Sequence, residues 1–406
     1  MTKITEIIGL VIHDSRGDET IQVSVKTAGG HAGAAAVPAG ASKSSFEAVA
    51  IEPAKGIQFI ENEIFPALRG MDVADQVAID EKMIKLDGTA DKSRLGGNTI
   101  LGVSLAVSRA AAAAKKLPLY RYIGELDGRH GYALPIPMMN LINGGKHADN
   151  NLDIQEFMVI PDKVEGFHNQ LSAGKLIFST LGELLHGTSS VYLPIGDEGG
   201  YAPSLDTNEI ALDYLVQAVK ESGYKPWDEV SLGLDVAASS VAPTFEISPK
   251  RYLGLLHDFP ILSIEDPFAE EDWTNWSDFK REIESSNQTN KKILLIGDDL
   301  LSTNAKRLEK SVETGACNAI LVKLNQIGTL TETLQVCDIA RKAGYVMIVS
   351  HRSGETLDDY IADFAVGIGA QFIKTGAPND SHAERMSKYH RLLTIERELG
   401  GHERHQ

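Results

Sequence analysis

The chain has 406 residues, 43% of them apolar and 23% charged, which suits two or three domains or one large barrel with an extra piece and excludes wholesale disorder. Its 39 basic and 56 acidic residues leave a net charge of −17, a surface that disfavours nucleic-acid backbones and anionic lipid as partners. Two cysteines, Cys317 and Cys337, allow neither a disulfide framework nor a cysteine zinc site. With no apolar signal core at the start and no uncharged run of the ~18 residues a membrane span needs, the expectation is a soluble cytoplasmic protein.

Residues 4–12 and 19–27 flank the turn-forming D-S-R-G-D at 14–18, and I-Q-V-S-V-K-T at 21–27 alternates with the period of a half-buried strand; together they predict a hairpin. The small residues of 33–45 predict a mobile loop. Within 95–116, Leu101, Val103, Leu105 and Val107 alternate like a strand, but the length and the alanine run predict a buried helix. The uncharged A-L-P-I-P-M-M-N at 133–140 is the expected junction, dividing an N-terminal α+β domain at 1–133 from a C-terminal barrel domain at 134–406. Asp206 and Glu209 resemble a capping box opening a helix, and Gly344 is a plausible end to another at 330–344.

From residue 231 onward, short apolar runs recur and each ends in a reactive side chain: Asp235, Glu265, Asp298, Lys323, His351 and Lys374. The intervals of 23 to 33 residues fit one strand plus one returning helix. Six such units predict an α/β fold of the (β/α)8-barrel type, whose active sites lie at the strands' C-terminal ends. A doubly wound open sheet fits less well, because it confines ligands to one switch point.

Asp235, Glu265 and Asp298 end three consecutive strands about 4.8 Å apart, where bare carboxylates repel; a hard divalent cation such as Mg²⁺ relieves this. Asp299 rivals Asp298, since strand alternation turns only one of them inward. Any one of these acids alone is more simply a strand-end cap or ion-pair partner. Lys323 and Lys374 would ordinarily be solvated charges, but a lysine beside bound metal loses proton affinity and can serve as a base. G-D-E-G-G at 196–200 can present Glu198 from a glycine-rich turn, though an ordinary surface turn has the same composition. N-G-G-K-H-A at 143–148 and Q-E-F at 155–157 are weaker signals. S-H-R-S-G-E at 350–355 suits a phosphate or carboxylate.

Taken together, the motifs resemble the enolase (phosphopyruvate hydratase) family along nearly the whole chain. They include D-S-R-G at 14–17, L-D-G-T-A-D-K-S-R-L-G-G-N at 86–98, P-M-M-N-L-I-N-G-G-K-H-A-D-N-N at 137–151, G-D-E-G-G-Y-A-P at 196–203, S-I-E-D-P-F-A-E-E-D-W at 263–273, K-L-N-Q-I-G-T at 323–329 and S-H-R-S-G-E-T at 350–356. The resemblance implies an enolase-type barrel with an N-terminal capping domain, two Mg²⁺ ions per site and reversible dehydration of 2-phosphoglycerate to phosphoenolpyruvate. By motif, Lys323 takes the α-proton, Glu198 is the acid for the departing hydroxide, Glu156 assists it and His147 contacts substrate. Asp235, Glu265 and Asp298 match the first metal's ligands and Ser42 the loop serine over the second. Arg352 and Ser353 match the phosphate-holding residues, with His351 nearby, and Lys374 matches a lysine on the substrate carboxylate. A homodimer or ring of dimers is the implied assembly.

Several stretches depart from the family. A-G-A-S-K-S at 39–44 replaces S-G-A-S-T-G, Lys146 stands for a common serine, and the segment after Glu47-Ala48 and the stretch between Asp235 and Glu265 are short. An enolase-like dehydratase acting on another phosphorylated or 2-substituted hydroxy acid is therefore a second reading, which the intact S-H-R-S-G opposes. A noncatalytic protein on this scaffold is a third, which the retention of Lys323 and Glu198 opposes.

Overall fold

The computed structural model describes residues 1–40, 44–187, 193–240, 248–285 and 292–402. Strands β1 (Ile4–His13) and β2 (Glu19–Thr27) pair antiparallel as the expected hairpin. Asp14 closes the turn by accepting at Oδ1 from the backbone N–H groups of Arg16 (2.9 Å) and Asp18 (3.0 Å).

The stretch expected to be a loop from residue 33 is corrected in part: Ala32–Ala36 form β3, antiparallel to β2. Its small residues are there for packing. A side chain at Gly33 would overlap the backbone of Ala106 and Ala110, so only glycine lets the strand lie this close to the helix behind it. That helix, Gly97–Lys115, is the buried helix expected from the alanine run. Leu101, Val103, Leu105 and Val107 are all buried, so the strand-like alternation belongs to a helix enclosed on all sides.

Eight further strands close into a barrel: β4 (Ile136–Asn143), β5 (Glu156–Ile160), β6 (Ser231–Asp235), β7 (Ile261–Glu265), β8 (Leu294–Gly297), β9 (Ala319–Val322), β10 (Val346–Ser350) and β11 (Phe372–Lys374). The uncharged stretch 133–140 thus gives its last five residues to β4. All pairings are parallel except those of β5, which runs against both β4 and β6. β4 and β5 are joined without a returning α-helix, so the barrel is not eight repeats of one unit. The reversal matters for the site: β5 begins at the mouth where its neighbours end, with Glu156 opposite Asp235.

Met138, Met158, Ile160, Leu262, Ile296 and Leu321 help fill the barrel interior beneath that mouth. The helix Asn208–Glu221 is capped by Thr207, whose Oγ1 accepts from the N–H of Ile210 (3.3 Å). Asp206, expected as the cap, lies one residue too early. The helix at 330–344 runs Leu330–Lys342, with Gly344 just beyond it at φ +74°. Among the described residues, no helix is long and apolar enough to cross a membrane.

Candidate active site at the mouth of the barrel

The six reactive strand-end residues lie where their apolar runs stop. Asp235 and Glu265 are the last residues of β6 and β7, Asp298, Lys323 and His351 directly follow β8, β9 and β10, and Lys374 ends β11. These strands give an apolar inner face to the core, and Glu156, Glu198, Asp235, Asp298, Lys323, His351 and Lys374 help line one cavity at the mouth, with Glu265 buried against Lys374.

Lys374 is almost completely buried, and its ammonium lies among three carboxylates: Glu265 Oε2 at 2.8 Å, Glu156 Oε2 at 2.9 Å and Asp235 Oδ2 at 3.4 Å. Burial alone would lower its proton affinity, but these neighbours raise it well above the usual lysine value. Lys323 pairs with Asp298. The expected depression of a lysine base depends on bound metal; in the protein alone, the attraction of Asp298 outweighs burial and holds Lys323 above its usual value. Burial pushes Asp298 up, yet Lys323 holds it below the ordinary carboxyl value. Asp298 Oδ1 also accepts from Gln326 Nε2 (3.0 Å).

The expectation that only one of Asp298 and Asp299 faces inward is corrected, since both line the cavity. They lie past the end of β8, where strand alternation no longer applies. Burial and the adjacent Asp298 push the Asp299 carboxyl up to about 7. Asp266 is the acid that sequence reasoning passed over, although it stands in the quoted E-D-P. Its two oxygens accept from the N–H groups of Asp298 (3.1 Å) and Asp299 (2.7 Å) and so fix that loop. Oxygens of Glu265, Asp266 and Asp298 lie within 4.8 Å of one another. Glu265 Oε1 is buried and accepts no hydrogen bond from the described residues. Burial and the charge of Asp235 raise Glu265 well above the usual range. Crowded oxygens with an unused buried acceptor are a donor set that a hard divalent cation fits.

Four strands round the barrel from β9, a second cluster gathers about the start of β5. His147 Nδ1 lies 3.8 Å from Glu156 Oε1 and 3.7 Å from Glu198 Oε1. Glu198 sits in the turn 196–200, where Gly199 has φ +84°. Its Oε2 accepts from Asn140 Nδ2 (3.0 Å), and its Oε1 lies 3.2 Å from His351 Nε2. Burial and the Glu198 charge push Glu156 well above the usual carboxyl range; His351 and His147 hold Glu198 well below it despite burial. Gln155, whose Nε2 is 3.4 Å from Asp235 Oδ2, and Asn140, which was given no role although it stands in the quoted P-M-M-N, also join the site.

The guanidinium of Arg352 donates to Glu47 Oε2 (3.1 Å) and Asn325 Oδ1 (2.9 Å), and Ser353 Oγ accepts from Arg16 Nη1 (3.3 Å), bringing the D-S-R-G turn to the site. Ser42 and Lys43 lie outside the described residues. Beside them, Ser44 and Ser45 donate to Glu270 Oε2 (2.9 Å) and Oε1 (3.2 Å), tying this segment to the loop after β7.

The family model described as the enolase N-terminal domain matches residues 4–123, and that described as the enolase C-terminal TIM barrel domain matches residues 131–406.

Proposed function

The chain belongs to the enolase family, and on that premise we propose that it is a hydro-lyase that reversibly dehydrates 2-phosphoglycerate to phosphoenolpyruvate with Mg²⁺. The observation that carries this reading is the placing of Lys323 and Glu198 in one cavity, the lysine after β9 and the carboxylate in the cluster at β5, across the barrel. A base and an acid on different sides of a bound substrate suit removal of an α-proton and departure of hydroxide.

In this reading Lys323 removes the α-proton once Asp298 no longer holds its own proton in place. Lys374 orients the substrate carboxylate and opposes the second negative charge that develops beside it. Arg352 and Ser353, with His351 nearby, hold the phosphate. Glu198, backed by Glu156 and His147, supplies the proton with which hydroxide leaves. Asp235, Glu265 and Asp298 would hold one divalent ion and Ser42 would serve a second; such ions neutralise carboxylate charge, as is established for the superfamily. Residues 1–133 and 134–406 are the proposed domains, and a cytoplasmic homodimer or ring of dimers the proposed assembly.

A dehydratase for a different hydroxy acid is the second reading. The Glu47–Arg352 pair favours it, because a phosphate at Arg352 would have to share that guanidinium with a carboxylate.

Solvent-deuterium exchange at the α-carbon tests the assignment. Lys323→Ala should abolish exchange, whereas Glu198→Gln should retain it while losing net dehydration. Equal exchange by both variants would overturn the base and acid assignments.

A further inference from the structure

The guanidinium of Arg385, on the helix Ala383–His402, is completely buried against the site. It donates from Nη1 to the carbonyl of Arg352 (2.6 Å) and from Nη2 to those of Ser353 (2.6 Å) and Asp197 (2.9 Å), so it ties the S-H-R-S-G and G-D-E-G-G loops together. Nη1 also lies 2.8 Å from Nδ1 of His351. A guanidinium has donors and no acceptor. Nδ1 must therefore accept, and a neutral ring must carry its proton on Nε2, which stands 3.2 Å from Glu198 Oε1.

We propose that Arg385 is a positioning residue that fixes His351 as the Nε2–H tautomer and so presents a donor, rather than a lone pair, beside Glu198. The other oxygen of Glu198 accepts from Asn140, so the carboxylate has one donor bonded at Oε2 and the His351 ring nitrogen close to Oε1. The imidazole stays neutral: burial pushes it down to about 4, with Arg385 acting in the same direction against the opposing pull of Glu198. The three carbonyls fixing the guanidinium belong to the two loops that carry His351 and Glu198. The same contact that closes the loops thus sets the tautomer, much as a buried partner selects the tautomer of a catalytic histidine elsewhere.

The test is long-range proton–nitrogen correlation NMR of the full chain labelled with ¹⁵N-histidine, for the wild type, Arg385→Lys and Arg385→Met. The wild type and Arg385→Lys should show His351 protonated at Nε2 and bare at Nδ1. Arg385→Met should lose that fixed pattern. On the proposed reaction, on which only this arm rests, kcat of Arg385→Met should fall ~100-fold with little change in KM, the scale of losing one oriented hydrogen bond. A merely structural loosening of the phosphate loop would instead raise KM. A wild-type ring protonated at Nδ1, or an Arg385→Met ring unchanged from the wild type, would overturn the proposal. If Arg385→Met fails to fold, the wild-type and Arg385→Lys spectra decide it. A confirmed tautomer in a protein inactive on 2-phosphoglycerate would sink the functional reading and leave this one standing.

Discussion

Replacing Lys374 with methionine removes the ammonium that touches Glu156, Asp235 and Glu265 and leaves three buried carboxylates facing one another. At 2.8 Å and an effective dielectric of ~20, the Lys374–Glu265 attraction alone is about 6 kcal/mol before desolvation is subtracted. Breaking a buried ion pair by removing one partner costs about 3–5 kcal/mol net, and that is the expected loss in urea unfolding with chelator present at neutral pH. The sign of the pH dependence follows from the acids left behind. Burial and neighbouring carboxylates already raise Glu156 and Glu265, with Lys374 opposing, so the substitution raises them further. Carboxyls raised in the folded state bind protons that the unfolded chain releases, so stability falls as pH rises from the unfolded value of ~4 through the raised folded value. The deficit of the variant should therefore be small near pH ~5 and largest near pH ~8. A loss below about 1 kcal/mol, or a deficit that shrinks as pH rises, would refute the claim that Lys374 holds this cluster together.

Two further outcomes follow from the site. Asp235→Asn should keep the fold, since an amide oxygen can still accept from the Ala237 N–H (2.9 Å), but should weaken Mg²⁺ binding at least ~10-fold by calorimetry through loss of a formal charge; unchanged affinity would remove Asp235 from the proposed ligands. Lys43→Thr with Ser44→Gly should lower the Mg²⁺ requirement of the second site, because it removes a nearby positive charge and the hydroxyl that ties Ser44 to Glu270; superimposable Mg²⁺ titrations of activity would show these substitutions to be neutral.

Much of the barrel was legible because its physics is local. An apolar run that ends in Asp, Glu, Lys or His is what a strand looks like when one end fills a core and the other opens on a charged mouth, and β6 to β11 follow that pattern. The reversal of β5 left no such mark: it depends on the short link from β4, and it explains how Glu156 reaches the mouth from the first position of its strand. β3 was hidden for the opposite reason. Its small residues read as slack, but they answer to the helix Gly97–Lys115 packed across them. Asp298 and Asp299 read as exclusive rivals only because of an alternation that ends with the strand. Arg385 carries no local signal, and the role of Asn140 could not be read from its motif, because their partners come from distant loops that only the closed barrel assembles.

The central claim is tested most directly by incubating the purified protein with 2-phosphoglycerate and Mg²⁺ and following the ultraviolet absorbance of the enol product, with chelator and with unphosphorylated glycerate as controls. The account predicts a rise in absorbance that needs both the metal and the phosphate. No rise with 2-phosphoglycerate, or an equal rise with glycerate, would contradict it.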